Sequence, residues 1–346
     1  MLNLVPHIGL PESLNHALRT EDIRFSPSGR LLAVVATSGT LHLFAVDAQA
    51  RPIRIHRYTE LRSASLASPH GLDFISEDVV VVANRSGWVT FYRLPRLRAW
   101  KERMTVDPIH EMGSRWFGAK GATRRVRERT VNCGPGSVRV NGPQLMVCCN
   151  NMSTVTAHPF TFHKGTLETG DGAVVAQSGL EIPDGLSLSR DERWLAVGDH
   201  EHRNITLFQR RPIPTPSCTL RDPELSHPHG LCFDPTGRAL YVADAGERQL
   251  HVFVSPDGWA TSMNQSTFKL AAVEADAFRK TKESVEEKYR PLEGGIKGID
   301  VDATGRLLAT TCQNQMLRFF ESDLAPAGQS SAPGWRGRLA ALLGLR

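Results

Sequence analysis

The chain repeats itself, and the repeat leaves few folds open to it. Five segments share one order: a polar turn, a short apolar strand, a Gly or acidic turn, and a second apolar strand. They read TEDIRFSPSGRLLAVVA (Thr20–Ala36), SPHGLDFISEDVVVVAN (Ser68–Asn84), IPDGLSLSRDERWLAVGD (Ile182–Asp199), HPHGLCFDPTGRALYVAD (His227–Asp244) and GIKGIDVDATGRLLATTC (Gly295–Cys312). A sixth, degenerate copy is GSVRVNGPQLMVCCN (Gly136–Asn150). A third strand follows each copy: in chain order LHLFAV, WVTFYRL, VTAHPF, ITLFQR, LHVFV and LRFFES. The copies start about 45–50 residues apart, with two gaps of about 65, which suits four-stranded blades. The expectation is an all-β, six-bladed β-propeller. Seven blades is the alternative, with the extra one hidden before Gly136. Outer strands fall in the variable linkers, and the segment around Leu2–Leu10 should help close the last blade, because an open ring would leave sheet edges unpaired.

The second strands (GRLLAVVA, DVVVVAN, RWLAVGD, RALYVAD, RLLATTC) are apolar without alternation, as in strands buried on both faces. The organisation expected is one propeller domain over 1–322, insertions at 95–130 and 255–294, and a linker with a short basic tail over 323–346. The first insertion is basic and ends in TRRVRERT, read either as a solvated outer strand or as an anion contact on the rim. No aromatic residues interleave there to stack bases, and a net charge of +5 is only mildly basic, so nucleic acid is not an expected partner. In the second insertion AAVEADAFRKTKESVEEKYR reads as a helix, with Val273, Phe278, Val285 and Tyr289 on one seam, lying on a blade edge or serving as a lid. In the tail, Trp335, Leu339, Leu342 and Leu343 share one helical face, which suits either docking on the propeller or contact with a protein partner or membrane surface.

The six cysteines form no CxxC pair and read as buried free thiols. With no secretory signal and no apolar run of roughly 18 residues, a cytoplasmic protein without a transmembrane segment is expected. Phosphate-cradling GxxxxGK[ST] and GxGxxG loops and a GxSxG nucleophile elbow are absent.

One repeat position varies in chemistry while its surroundings stay constant. Two residues before the first apolar position stand Glu21, His70, Asp184, His229 and Lys297, and Gly follows in four of the five. The first strand of a blade lines the channel, so these side chains should converge at one mouth. Carboxylates, imidazoles and an amine in one volume permit metal ligation or acid–base chemistry, or a hydrated polar lining with no ligand. Where the second strands end stand Asn84, Asn150, Asp199, Asp244 and Cys312, read mainly as hairpin-opening residues. His200 and His202, on alternate positions, form either a small metal site or an exposed tip.

The PHGLxFxPTGRxLYVAD and IPDGLSLSRDERWLAVGD segments resemble the repeats of six-bladed propellers of the gluconolactonase (senescence marker protein) and NHL-repeat superfamily, over most of Thr20–Ser322. The resemblance implies the fold and a divalent ion, usually calcium, held by a Glu, an Asn and the Asp of a PDG turn. Glu21 and Asp184 match the first and last. The Asn has no counterpart in the degenerate copy. His70 and His229 look more like the zinc-binding channel of amidating lyases built on NHL repeats, and imidazole shifts preference from calcium toward zinc, iron or manganese.

Two functions follow. One is a small-molecule-binding propeller acting at the channel mouth as a metal-assisted hydrolase (lactonase-like) or lyase. Glu21, His70, Asp184 and His229 would hold the metal, with Lys297 and His229 as catalytic groups. The other is a non-catalytic scaffold that uses the basic rim near Arg124–Arg129 and the tail. Deleting the chain after about Glu321 should leave the melting temperature nearly unchanged and weaken binding to anionic vesicles. A large fall in melting temperature would instead mean that Trp335 and Leu339 pack into the fold.

Overall fold

The computed structural model describes residues 2–14, 18–113, 123–126, 129–163, 165–210, 215–255, 257–283 and 293–324, with backbone only over 123–126 and 129–132. Six sheets, each built on antiparallel blade strands, stand around an axis, and the fold is a six-bladed β-propeller. The inner strands are Thr20–Phe25, Pro69–Ser76, Pro135–Asn141, Pro183–Leu188, Pro228–Phe233 and Gly298–Val301. Each pairs outward with the second and third strands anticipated from the repeats. The degenerate copy is a full blade, and the residues before it supply only a hairpin, Thr123–Val126 with Arg129–Asn132, outside the six sheets. A seventh blade is therefore not present among the described residues.

The apolar runs are buried on both sides because each blade packs on two neighbours. Six apolar clusters occupy the six blade interfaces. One joins Ile23, Leu32 and Phe44 of the first blade to Ala309 and Phe319 of the last. All six cysteines are buried free thiols.

Two segments far apart in the chain close the ring. Leu2–Val5 is the outer strand of the last blade, antiparallel to Gln315–Ser322 with Leu2 opposite Ser322 and Val5 opposite Phe319. Leu2 and Val5 are buried, and Ser322 Oγ lies 2.9 Å from Tyr241 Oη of the fifth blade. Ser322 thus belongs to the closing strand, and a truncation that spares the ring must start beyond Leu324. The tail from 325 on lies outside the described residues.

The insertions are partly blade. His110–Gly113 is the outer strand of the second blade, and Arg103–Thr105 adds a parallel strand to the first. The side chains of Arg124–Arg129 lie outside the description. In the second insertion, Phe268–Ala271 completes the fifth blade. Among the described residues the helix spans Ala275–Lys282. Val273 and Phe278 pack into the cluster between the fifth and sixth blades, and Thr281 Oγ1 donates to the Gln313 carbonyl at 3.2 Å. The helix therefore lies on the edge of these blades, while Val285 and Tyr289 are not among the described residues. No helix in the described part is long and apolar enough to cross a membrane.

Deleting Leu2–Val5 should cost roughly 3 kcal/mol or more, from two buried side chains alone, besides opening a strand edge. Urea unfolding of the truncated chain checks this; an unchanged midpoint would mean the ring closes without that strand.

Candidate metal centre on the propeller axis

The five side chains at the variable position meet at one end of the channel. Their backbones are brought close by the glycines that follow them. A Cβ on Gly71 would lie 2.6 Å from the Gly136 carbonyl oxygen, and one on Gly230 2.5 Å from that of Lys297. Any side chain there would push neighbouring blades apart. The same approach gives each imidazole a backbone partner: His70 Nδ1 is 2.9 Å from the Gly136 carbonyl, and His229 Nδ1 is 3.0 Å from that of Lys297. A carbonyl only accepts, so Nδ1 carries the proton and Nε2 turns its lone pair to the axis.

Facing these lone pairs are carboxylates. His70 Nε2 and His229 Nε2 lie 3.3 Å and 3.4 Å from Glu21 Oε2. His229 Nε2 is also 3.4 Å from Asp184 Oδ2. Glu21, His70 and His229 each offer a ligand atom within 4.8 Å of the other two, and all three are buried. Asp184 flanks this triad. Lys297 Nζ bonds Glu21 Oε2 at 2.9 Å and Glu293 Oε2 at 2.7 Å.

The cluster is larger than the repeats suggested. Arg19 Nε donates to Glu21 Oε1 at 2.7 Å, and its guanidinium also pairs with Glu293. Arg85 Nη2 reaches His70 Nε2 at 2.9 Å and Asp184 Oδ1 at 3.1 Å. His200 Nε2 lies 3.3 Å from Asp184 Oδ2, and its ring centroid is 3.8 Å from that of His227. His202 instead sits on the surface beside Glu181 and Asp199, so the two histidines do not share a site. The degenerate copy contributes as well. Gly136 has no side chain, and the space a Cβ would need is taken by Asn150 and Asp184. Asn150 Nδ2 donates to Asp184 Oδ1 at 3.0 Å. An Asn thus reaches the PDG aspartate from the end of a second strand, not from the start of a first. Arg85 and His200 directly follow Asn84 and Asp199, so the second-strand ends were the signal for these residues as well as for Asn150.

Burial opposes charge on Glu21 and Asp184, but the surrounding cations and imidazoles outweigh it and hold both well below the usual carboxylate range. For Glu21 these are Lys297, His70, His229 and Arg19; for Asp184 they are His70, Arg85, His229 and His200. Burial, with Arg85 and His229, pushes His70 down to about 4. The site is a buried plug, not an open mouth. The space among Glu21, His70, Asp184 and His229 is about 10 Å³, enough for an ion or one water. The partly exposed Arg85 and His227 mark its way to solvent.

No family model and no curated protein matches the chain. Among solved structures it is similar to a chain in the crystal structure of a mitotic checkpoint complex, with 13% identity, a TM-score of 0.50, and coverage of 91% of this chain and 79% of that one. At that identity the likeness shows the propeller fold alone.

Three buried imidazoles set an acid limit on stability. His42 and His158, like His70, are pushed down to about 4, first of all by burial. Each stays neutral when folded but takes up a proton near pH 6.5 when unfolded. Stability present above pH 6.5 should therefore be lost as pH falls toward about 4, at up to about 4 kcal/mol per pH unit for three protons. Urea unfolding between these values measures it; a flat profile would contradict the burial of neutral rings.

Proposed function

We propose that the protein is a metal-dependent enzyme acting on a small molecule, a lactonase- or esterase-like hydrolase or a lyase, with its ion held by Glu21, His70, Asp184 and His229. One observation carries the reading. Imidazole lone pairs fixed by the Nδ1 bonds face carboxylate oxygens, acceptor on acceptor, and His229 Nε2 and Asp184 Oδ2 have no hydrogen-bond partner in the structure. Buried unsatisfied acceptors of this kind are costly, and a cation between them removes the cost. The mixed N and O donors suit zinc, iron or manganese better than calcium. The repeats' resemblance to gluconolactonase-like and NHL propellers points the same way.

A divalent ion at this place supplies polarisation of a carbonyl or a bound water of lowered pKa. The chain supplies the rest. Lys297, clamped between Glu21 and Glu293, is a fixed positive charge beside developing negative charge. With Nδ1 tied to a carbonyl, His229 has one nitrogen to offer and serves as a ligand or as a proton carrier, not both. As a ligand it leaves His200, whose Nε2 also has no hydrogen-bond partner, to carry the proton. Arg85 occupies the lone pair of His70 and must swing away for His70 to ligate; its side chain is 29% exposed, so a path outward is open.

The scaffold reading has an observation of its own. Glu21, Asp184 and Glu293 are matched in number by Arg19, Arg85 and Lys297, so the plug balances its charge without an ion. Metal analysis separates the two. Protein purified without chelator should carry zinc, iron or manganese, and His70→Ala and His229→Ala should each lose most of it while the fold remains. Metal-free protein that takes up no ion on titration would leave the scaffold, with its rim and tail as the partner surface.

A further inference from the structure

We propose that the opposite mouth of the channel is a second site, independent of any metal, that binds a small organic oxyanion (a carboxylate or a phosphate) through Arg24, Arg139, Arg30 and Arg190. Three residues on from the variable position, the repeats carry Arg24, Asp73, Arg139, Ser187, Cys232 and Asp300. A register shift early in most inner strands lets this second ring face the axis as well. All six line a cavity of about 860 Å³ whose rim includes Arg30 and Arg190. That volume falls within the roughly 300–1,000 Å³ usual for small-molecule pockets.

The hydrogen-bonding balance of this cavity selects an anion. Arg24 is 3% exposed. Its Nη1 is spent on the Ile23 carbonyl, at 2.9 Å, and on the Ile299 carbonyl. Its Nε and Nη2 have no hydrogen-bond partner in the structure, and Asp22 Oδ1 stands 3.3 Å from Nη2 outside bonding geometry. The carboxylates of the cavity are already engaged. Asp73 accepts the Phe74 and Val140 amides at 2.8 Å and 2.7 Å. Asp300 accepts the Phe25 amide at 2.8 Å and the Cys232 thiol at 3.4 Å. Glu77 is bonded to Ser26 and Ser28, and Asp234 and Asp302 close their own turns. The unused capacity is that of Arg24 Nε and Nη2, since Arg139 Nη1 already donates to the Leu72 and Val138 carbonyls, and an oxyanion matches it. Burial also raises Asp73, to about 7, and Asp300, which weakens the negative charge an incoming anion would meet.

Calorimetric titration of the full chain with inorganic phosphate and with succinate, with and without a metal chelator and with sodium chloride at matched ionic strength, tests the site. At least one of the two anions should bind saturably and indifferently to the chelator. Phosphate alone would indicate a phosphorylated ligand, succinate alone a carboxylate. Arg24→Lys should weaken binding about tenfold or more. Because Arg24 also joins the first and last blades and its variant risks misfolding, the exposed rim change Arg190→Glu provides a second arm with the same expected loss. The site is refuted if neither anion binds beyond the chloride control, or if binding persists in both variants. Loss of binding on chelation would also refute it, by placing the anion on the metal centre. Metal content plays no part in the expected result, so the metal reading can fail while this one stands.

Discussion

Everything at the axis depends on how closely neighbouring inner strands approach. At Gly71, Gly185, Gly230 and Gly298 a single added carbon would collide with the backbone of the next blade. The first blade lacks this glycine, and Asp22 takes the place, accepting the Leu72 amide of the second blade at 3.1 Å. Close packing of strands, not of side chains, narrows the channel until the residues before these glycines touch. The same contact supplies the carbonyls that fix the tautomers of His70 and His229. Geometry and protonation state thus have one origin.

A narrow channel removes water from charged groups. Burying ions is expensive unless they are paired, and pairs seldom repay the full cost. The chain places Glu21, Asp184, Glu293, Arg19, Lys297 and several imidazoles in such a place, although the six apolar clusters between the blades already hold the ring together. Charge concentrated where the fold does not require it supports the proposed site. The two ends of the channel have opposite surpluses. One leaves acceptors without donors, at His229 Nε2 and Asp184 Oδ2, the surplus on which the proposed cation site rests. The other leaves the donors of Arg24, the surplus on which the proposed anion site rests.

The sequence comparison explains why one ring was legible and the other was not. The position holding Glu21, His70, Asp184, His229 and Lys297 is flagged by the turn around it, above all the Gly that follows in four of the five. The ring of Arg24, Asp73, Arg139, Ser187, Cys232 and Asp300 sits inside apolar strands, three residues further on, where strict alternation in a regular strand puts it on the opposite face. The register shifts break that regularity, and no residue type announces them. Arg85 was passed over, Asn150 was read as a hairpin opening and His200 was grouped with His202, for a related reason: the turns that end the second strands read as local features, and in the ring those turns overhang the axis.

The sequence by itself determined the propeller fold, the first three strands of each blade and the end of the channel where titratable groups gather, because these follow from a repeat that hydrophobic burial enforces; that the blades number six and not seven was decided by the structure. Closure was legible too, since a ring cannot leave its last blade short of a strand. Only the tertiary structure decided that the gathering place is a plug and not an open mouth. It alone decided that Asn150 stands in for the side chain Gly136 lacks, and that Arg19, Arg85 and Glu293 balance the carboxylates and lysine already there. These are matters of ångströms between blades far apart in the chain, and side-chain reach across a closed ring has no local signature.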